Sequence, residues 1–495
     1  MSLFYFWLVK RENKWQDKYS IKSKLVSNYY TKAFSLGGYA MTIQQMKQAL
    51  EDGKTTSVEL TKAALAKIEE YKHLHSVIEV NPDALEIAQK LDEHLGEKGV
   101  LHGVPILVKD NVNTADSMAT SAGSMSLAKN IAKEDAKAAK LLREAGAVII
   151  GKSNMTEFAN YMCDFRLDEN MPNGYSSRGG QTLHPTDKNA DPSGSSTGSA
   201  VAVAARIVPA AVGSETYGSI ISPSQQCGIV GIKPTDGLIS KEGIIPISFT
   251  LDTLGPMTTT VEDAALMLSA MAGKNYPMAS KNPGEITIGV CKAGADNKNW
   301  PPTKEWREAN ENLIAHMNAL GMKVVELPED NIKSFSESRD DLFIFPLMQY
   351  EFRHAINSYL GNAAKGNPGI PKNLTEIIEY NEIHKDTALK YGQGNLIVAD
   401  KVADNWQDEA EYKKALLERE NAIATLDNYF DKHGINVLMM MSAHCGIAAA
   451  TGFPSITFPI GKTEKGLQAG CLLVAKRFDE DMLLAVAKLL ESSIN

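Results

Sequence analysis

A chain of 495 residues with 43% hydrophobic and 22% charged residues has the composition of a globular protein and enough apolar material for one large α/β unit or two smaller ones. Its net charge of -9 argues against a nucleic-acid partner and for a small organic substrate. The five cysteines, Cys163, Cys227, Cys291, Cys445 and Cys471, are odd in number, widely spaced and free of any C-x-x-C pair, a pattern that suits a reducing cytoplasm better than a disulfide framework or a zinc site.

Residues 1–40 stand apart, with seven Lys/Arg against only Glu12 and Asp17, and are expected to form a basic, poorly ordered extension to a single domain over 41–495. The apolar run from Leu3 to Val9 is much shorter than the roughly 20 residues a membrane span needs. Its positive charges follow that run instead of preceding it, so it reads as neither an export signal nor a span.

Regular structure begins at Met41. Thr42-x-x-Gln45 and Thr56-x-x-Glu59 are capping boxes that predict helices to about Asp52 and Tyr71. "VPILVKDNV" reads as a short buried strand, and "EDAKAAKLLREAGAVIIGK" as a helix, a stop at Gly146 and another strand. Between Ser153 and Pro192 the periodicity fades into a long surface excursion of the kind that is commonly functional. "AVAVAARI" is expected to be helical, and "VPAAVGSETYGS" and "GIVGIKPT" to be strands joined by a loop.

The segments "VEDAALMLSAMAG", "ITIGVC", "EANENLIAHMNALG" and "KVVELP" continue the helix and strand alternation of an α/β fold with a single sheet. Residues 335–434 read as a charged helical cover that shapes the substrate pocket. "INVLMMM", "GFPSITFPI" and "AGCLLVAK" then give three strands, and "EDMLLAVAKLLESS" a closing amphipathic helix.

Chemistry concentrates in three places. Lys109 ends the apolar run Val104 to Val108, where limited water disfavours its charged form and lets it act as a base. "PSGSSTGSA" precedes a helix and "GSETYGSI" follows a strand. A serine hydroxyl is a poor nucleophile until its proton is removed, and a desolvated lysine near pKa ~7 to 8 can remove it directly or through a second hydroxyl.

On these residues the chain resembles the amidase signature family. The motifs are "GVPILVKDNVNT", "TSAGS", "AGAVIIGKSNMTEFA", "SGSSTGSAVAVAA", "VGSETYGSI", "GIVGIKPTDGLISKEGIIPIS" and "DTLGPM", in the family's order over about Leu101 to Met257. The resemblance implies a large mixed β-sheet covered by helices on both sides. It also implies a cofactor-free, metal-free amide hydrolase, cytoplasmic, working as a monomer or homodimer.

By the same resemblance the base is Lys109, the relay is Ser195 after a cis Gly194–Ser195 peptide, and the nucleophile is Ser219. The backbone amides of Thr216, Tyr217, Gly218 and Ser219 would meet the oxyanion, with Ser196 and Glu215 in support. Glu215 replaces the family's usual Asp, and Tyr217 its usual Gly, which narrows the acyl pocket. Many members carry an arginine two or three places past the nucleophile, where this chain has Ile221 and Ser222. A substrate carboxylate thus lacks its clamp, and uncharged acyl groups are favoured.

"GYSSRGGQT", "GSETYGSI" and "LISKEGIIPISF" are most similar to the peptide amidase branch, which removes ammonia from C-terminally amidated peptides. The alternatives are the glutamine-hydrolysing component of an amidotransferase and a catalytically silent member kept for binding within a complex. Arg178 is promoted from the long loop as a pocket residue. Asp110 and Asn111 are expected to orient the loop after Lys109. Met439 to Met441 read as core packing. His444 beside Cys445 is set aside as a catalytic pair, because neighbours on a strand face opposite ways. No glycine fingerprint for a nucleotide follows a strand.

Overall fold

The computed structural model describes residues 41–494 except 95, 97, 165, 166, 168, 279, 293–302, 329–342, 364, 366, 442–445, 464 and 465. The basic stretch 1–40, residues 335–342 of the helical cover and the His444–Cys445 pair lie outside the described residues. Two units divide the chain, Met1–Met41 and Thr42–Asn495, and all elements below belong to the second.

Both capping boxes form. The Thr42 and Thr56 side chains accept the amides of Gln45 and Glu59, and those two side chains reach back, so the orphan donors of α1 (Ile43–Glu51) and α2 (Ser57–Glu70) are satisfied reciprocally. The sequence then alternates β1 (Val77–Val80), α3 (Ala84–Asp92), β2 (Pro105–Lys109), α4 (Lys137–Glu144) and β3 (Val148–Ser153). Among the described residues between Ser153 and Pro192 the loop is interrupted by the two-residue strands β4 (Tyr175–Ser176) and β5 (Gly180–Gln181) and by a 3-10 turn over Glu157–Asn160.

After α5 (Thr197–Ala204) and β6 (Ala210–Glu215) the structure departs from the sequence reading. The segment to β7 (Val230–Lys233) is not a loop but holds a helix, α6 (Ile221–Cys227). Its "ISPSQQC" has no apolar period, and Pro223 lies in the first turn, where a missing N–H costs nothing. A strand that the sequence pattern conceals follows: β8 (Thr253–Thr258) pairs antiparallel with both β6 and β7 despite Gly255 and Pro256.

Next come α7 (Val261–Ala272), β9 (Thr287–Cys291), α8 (Lys304–Ala319) and β10 (Lys323–Glu326). The described part of the helical cover is α9 (Phe345–Ala363), α10 (Leu374–Ile383), α11 (Lys385–Ala388), α12 (Gly394–Asp400) and α13 (Ala410–His433). The chain ends in β11 (Val437–Met440), α14 (Gly446–Thr451), β12 (Ser455–Thr457), β13 (Pro459–Lys462), β14 (Gln468–Gly470), β15 (Leu473–Ala475) and α15 (Glu480–Ile494). "GFPSITFPI" thus splits into two strands, the second pairing with β14 outside the main sheet.

One mixed sheet of 11 strands runs β1-β3-β2-β6-β8-β7-β12-β15-β11-β9-β10. Its two faces follow from side-chain alternation: Ile106 and Val108 enter one apolar cluster with α4 and α7, while Leu107 enters another with α5. Met439 and Met441 pack in the first of these and Met440 in the cluster beneath the helical cover, which makes all three core residues. The four described cysteines are buried and form no disulfide with one another. Among the described residues no helix is long and apolar enough to cross a membrane.

The topology sets the site. Strands β2 and β6 are parallel neighbours, pairing Leu107 with Ala211 and Val108 with Val212, so Lys109 and Ser214 leave the sheet at the same edge. Helix α5 crosses close to this edge because Gly198 has no side chain: a Cβ there would collide with the backbone carbonyls of Asn154 and Ser76.

Candidate active site

Lys109 is fully buried at the end of β2. Its Nζ lies 2.8 Å from Ser195 Oγ, 2.9 Å from Ser196 Oγ and 3.1 Å from the Ser214 carbonyl. Burial pushes its pKa down to about 7, against the opposing pull of the Asp252 and Glu215 carboxylates. A substantial fraction is therefore neutral at neutral pH, and a neutral amine has two N–H groups and one lone pair.

Counting hydrogens locates that lone pair. The Ser214 carbonyl can only accept, so one N–H goes there. Ser196 Oγ donates to the same carbonyl at 3.0 Å and accepts the Ser214 amide at 3.2 Å; its own proton is spent, and it can only accept from the lysine. Both N–H groups of the neutral lysine are then used. The ammonium form donates its third N–H to Ser195 Oγ; in the neutral form a lone pair takes that place, and the Ser195 hydroxyl can donate to it. The cis peptide implied by the resemblance is present at Gly194–Ser195.

Ser219 lies in the turn after β6 and is nearly buried. The Ser196 amide donates to its carbonyl at 3.2 Å, tying the Ser219 turn to the residue beside Ser195. Gly218 takes φ +86, a left-handed conformation that a residue without Cβ adopts freely. Glu215 closes the turn from inside: one carboxylate oxygen accepts the amides of Ile220 and Ile221 at 2.8 and 3.0 Å. Its longer arm thus reaches the start of α6. Burial raises its pKa, while Lys233 and the amides of Ile221, Ile220 and Gly218 oppose that rise. Tyr217 is half-buried and packs against the apolar cluster under the helical cover.

Asp110 and Asn111 orient the loop after Lys109, as expected. Asp110 accepts the amides of Ser121 and Gly123 at 3.3 and 3.0 Å and the Ser121 hydroxyl. Asn111 donates to Ser214 Oγ at 3.0 Å. Arg178 joins this group. Its guanidinium pairs with Glu79, lies 3.2 Å from Ser121 Oγ and 3.6 Å from Asp110 Oδ1. It is committed to neutralising carboxylates and holds the 121–123 turn behind the lysine. Arg178→Met should therefore destabilise the protein by about 3 kcal/mol in denaturant unfolding at neutral pH, the scale of an orphaned buried charge. The loss should shrink at acid pH, where Asp110, whose pKa burial raises, takes up a proton.

Sequence reasoning missed Asp252, whose Oδ1 accepts the Thr216 hydroxyl at 2.5 Å. The only signal was its place at the head of "DTLGPM". Asp252 also lines a cavity of about 540 Å³ between α9 and the segments around Lys133 and Lys241, which Lys109, Ser195 and Ser219 do not reach. Among the described residues no three His, Cys, Asp or Glu side chains are grouped to hold a metal ion.

A family model described as "Amidase" matches residues 59–484. An Arabidopsis thaliana protein named "Probable amidase" is 31% identical over 465 residues, covering 90% of this chain and 88% of its own. The X-ray structure of native peptide amidase from Stenotrophomonas maltophilia superposes with a TM-score of 0.80 at 32% identity, over 92% of this chain and 97% of that one. A glutamyl-tRNA(Gln) amidotransferase component from Deinococcus radiodurans is 41% identical, but over 260 residues, 52% of this chain and 51% of that one.

Proposed function

The chain belongs to the amidase signature family and hydrolyses carboxylic amides, and from that premise we propose that it does so through an acyl-enzyme on Ser219, with Ser195 as proton relay and Lys109 as base. The observation that carries this reading is the buried Lys109 amine 2.8 Å from Ser195 Oγ, with its other two contacts, Ser196 Oγ and the Ser214 carbonyl, placed to accept its N–H groups. Ser219 Oγ attacks the amide carbonyl and gives its proton to Ser195 Oγ, which passes its own to Lys109 Nζ. The carbonyl oxygen takes the negative charge and draws on the amides of Thr216, Tyr217, Gly218 and Ser219, with that of Gly218 shared with Glu215.

Collapse of the tetrahedral intermediate returns the proton through Ser195 to the departing nitrogen, and ammonia leaves. Water then attacks the acyl-enzyme, its proton follows the same path to Lys109, and the carboxylic acid is released as Ser219 regains its hydrogen. No cofactor enters these steps. The rate should rise with pH through about 7, since only the unprotonated lysine accepts a proton.

The substrate we propose is an uncharged acyl amide, foremost a C-terminally amidated peptide. Support comes from the peptide amidase structure and from Ile221 and Ser222, which supply no cation past the nucleophile. The amidotransferase component matches about half the chain, which favours the glutamine reading less. Ammonia release from peptide amides, fatty amides, aryl amides and glutamine tests this. Peptide amides are expected to exceed glutamine in kcat/KM by about tenfold to a hundredfold, the scale of one charge-assisted contact. A preference for glutamine would overturn the substrate assignment.

A further inference from the structure

The turn that carries Ser219 is anchored at a second point, through the side chain of Thr216. Its hydroxyl meets Asp252 Oδ1 at 2.5 Å, while Asp252 Oδ2 accepts the amides of Ile247 and Ser248 at 2.8 and 3.0 Å. Asp252 immediately precedes β8, whose first residue, Thr253, pairs with Glu215 at the end of β6. Segment 248–252 is fastened in turn to the helical cover. Glu351 of α9, fully buried, accepts the Ser248 and Thr250 hydroxyls, the Thr250 amide at 2.9 Å and the Tyr412 hydroxyl of α13 at 2.9 Å. A continuous chain of hydrogen bonds thus joins the helical cover to the nucleophile turn.

The choice of residue is costly and therefore informative. A threonine hydroxyl could be satisfied by any carbonyl, yet it meets a carboxylate that is only 4% exposed. Among the described residues no cation lies within ion-pair distance of Asp252, whose contacts are the three neutral donors named above. Burial raises its pKa, while the Thr216 hydroxyl, the charge of Lys241 and the amides of Ser248 and Ile247 oppose that rise and favour the carboxylate; its charge is also felt at Lys109, together with that of Glu215.

We infer that Asp252 is a positioning residue for the reaction: it fixes Thr216, and with it the peptide groups that meet the oxyanion, and its negative charge stabilises the lysine cation formed as Ser219 attacks. The inference rests on the assignment of Lys109 and Ser219 made above. Two variants of the full chain separate its parts, measured on whichever amide the enzyme turns over. Asp252→Asn keeps the shape but loses the carboxylate, and Thr216→Val keeps the carboxylate but loses the hydroxyl.

Each variant is expected to lose on the order of tenfold to a hundredfold in kcat with KM little changed. In Asp252→Asn the acid limb of kcat/KM should also move to lower pH by about half a unit or more, because a raising influence on Lys109 is gone. In Thr216→Val, which keeps the carboxylate, that limb should move less than in Asp252→Asn. An acid limb unmoved in folded Asp252→Asn, or kcat within twofold of wild type in Thr216→Val, would overturn the inference; the second arm decides if Asp252→Asn fails to fold. Lys109→Ala assayed alongside distinguishes the two levels. Full turnover in that variant would remove the underlying assignment, whereas an inactive Lys109→Ala with normal Asp252→Asn and Thr216→Val would remove only the role of Asp252.

Discussion

Lys109→Ala is expected to lower kcat/KM by a factor on the order of 10^4 or more, with circular dichroism and the unfolding transition still those of a folded protein. The loss follows from the hydrogen count: without the amine, Ser195 has no acceptor for its proton and the chain from Ser219 ends at a full hydroxyl. Lys109→Arg sharpens the test. A guanidinium retains positive charge and donors but cannot be deprotonated in a protein, so it should be as inactive as alanine. A measurable rate in the arginine variant would mean that charge, not basicity, is what the site requires.

A thermodynamic signature accompanies the kinetic one. In the folded chain Lys109 titrates near 7, while in the unfolded chain it returns toward 10.5. Between those values the unfolded state binds a proton that the folded state does not, so the contribution of this residue to stability rises with pH from about 7 toward 10.5. Below 7 both states are protonated and the slope vanishes. Urea unfolding of wild type and Lys109→Met at pH 7 and pH 9 should show a smaller rise in the variant. Equal rises would mean that the lysine is charged in the fold.

The sequence alone selects Lys109 on the strength of an apolar strand that delivers it to a dry sheet edge, and that criterion is satisfied more than once. Lys152 at the end of "AVIIGK" and Lys233 at the end of "GIVGIK" are also almost wholly buried on strands. Burial pushes Lys152 down to about 8, but Asp110, Asp116 and Glu79 pull the other way, and its amine donates to the Val112 carbonyl and to Thr120 Oγ1 at 3.0 Å. Lys233 donates to the Pro234 carbonyl. What sets Lys109 apart is its pair of serines, 86 and 87 positions away in sequence. That pairing became legible through the order of whole motifs, not through local pattern.

Helices with caps and an apolar period were equally legible, as were strands made of unbroken aliphatics. Strand β8 was not, because Gly255 and Pro256 argue against a central strand and only its antiparallel neighbours sustain it. Arg178 shows the remaining gap. A lone cation in a polar loop invites a ligand-binding role, and only coordinates could reveal that Glu79, nearly a hundred residues earlier, and Asp110 had already claimed it.

Ser219→Ala should cost still more, on the order of 10^5 to 10^6 in kcat, since no nearby group can replace the lost oxygen nucleophile. The turn itself should persist. The contacts that hold it run through the Ser219 carbonyl, the Glu215 carboxylate and the Thr216 hydroxyl, none of which the substitution removes. A fluorophosphonate should label wild type covalently and leave Ser219→Ala unlabelled, with Ser195→Ala labelled slowly because its nucleophile survives without a relay. The half-buried Tyr217 adjoins the same turn, packed beneath the helical cover, so a small alkyl phosphonate should react faster than a bulky one. Equal labelling of wild type and Ser219→Ala would place the nucleophile on another residue, and the short path from Lys109 through Ser195 would then have no substrate to act on.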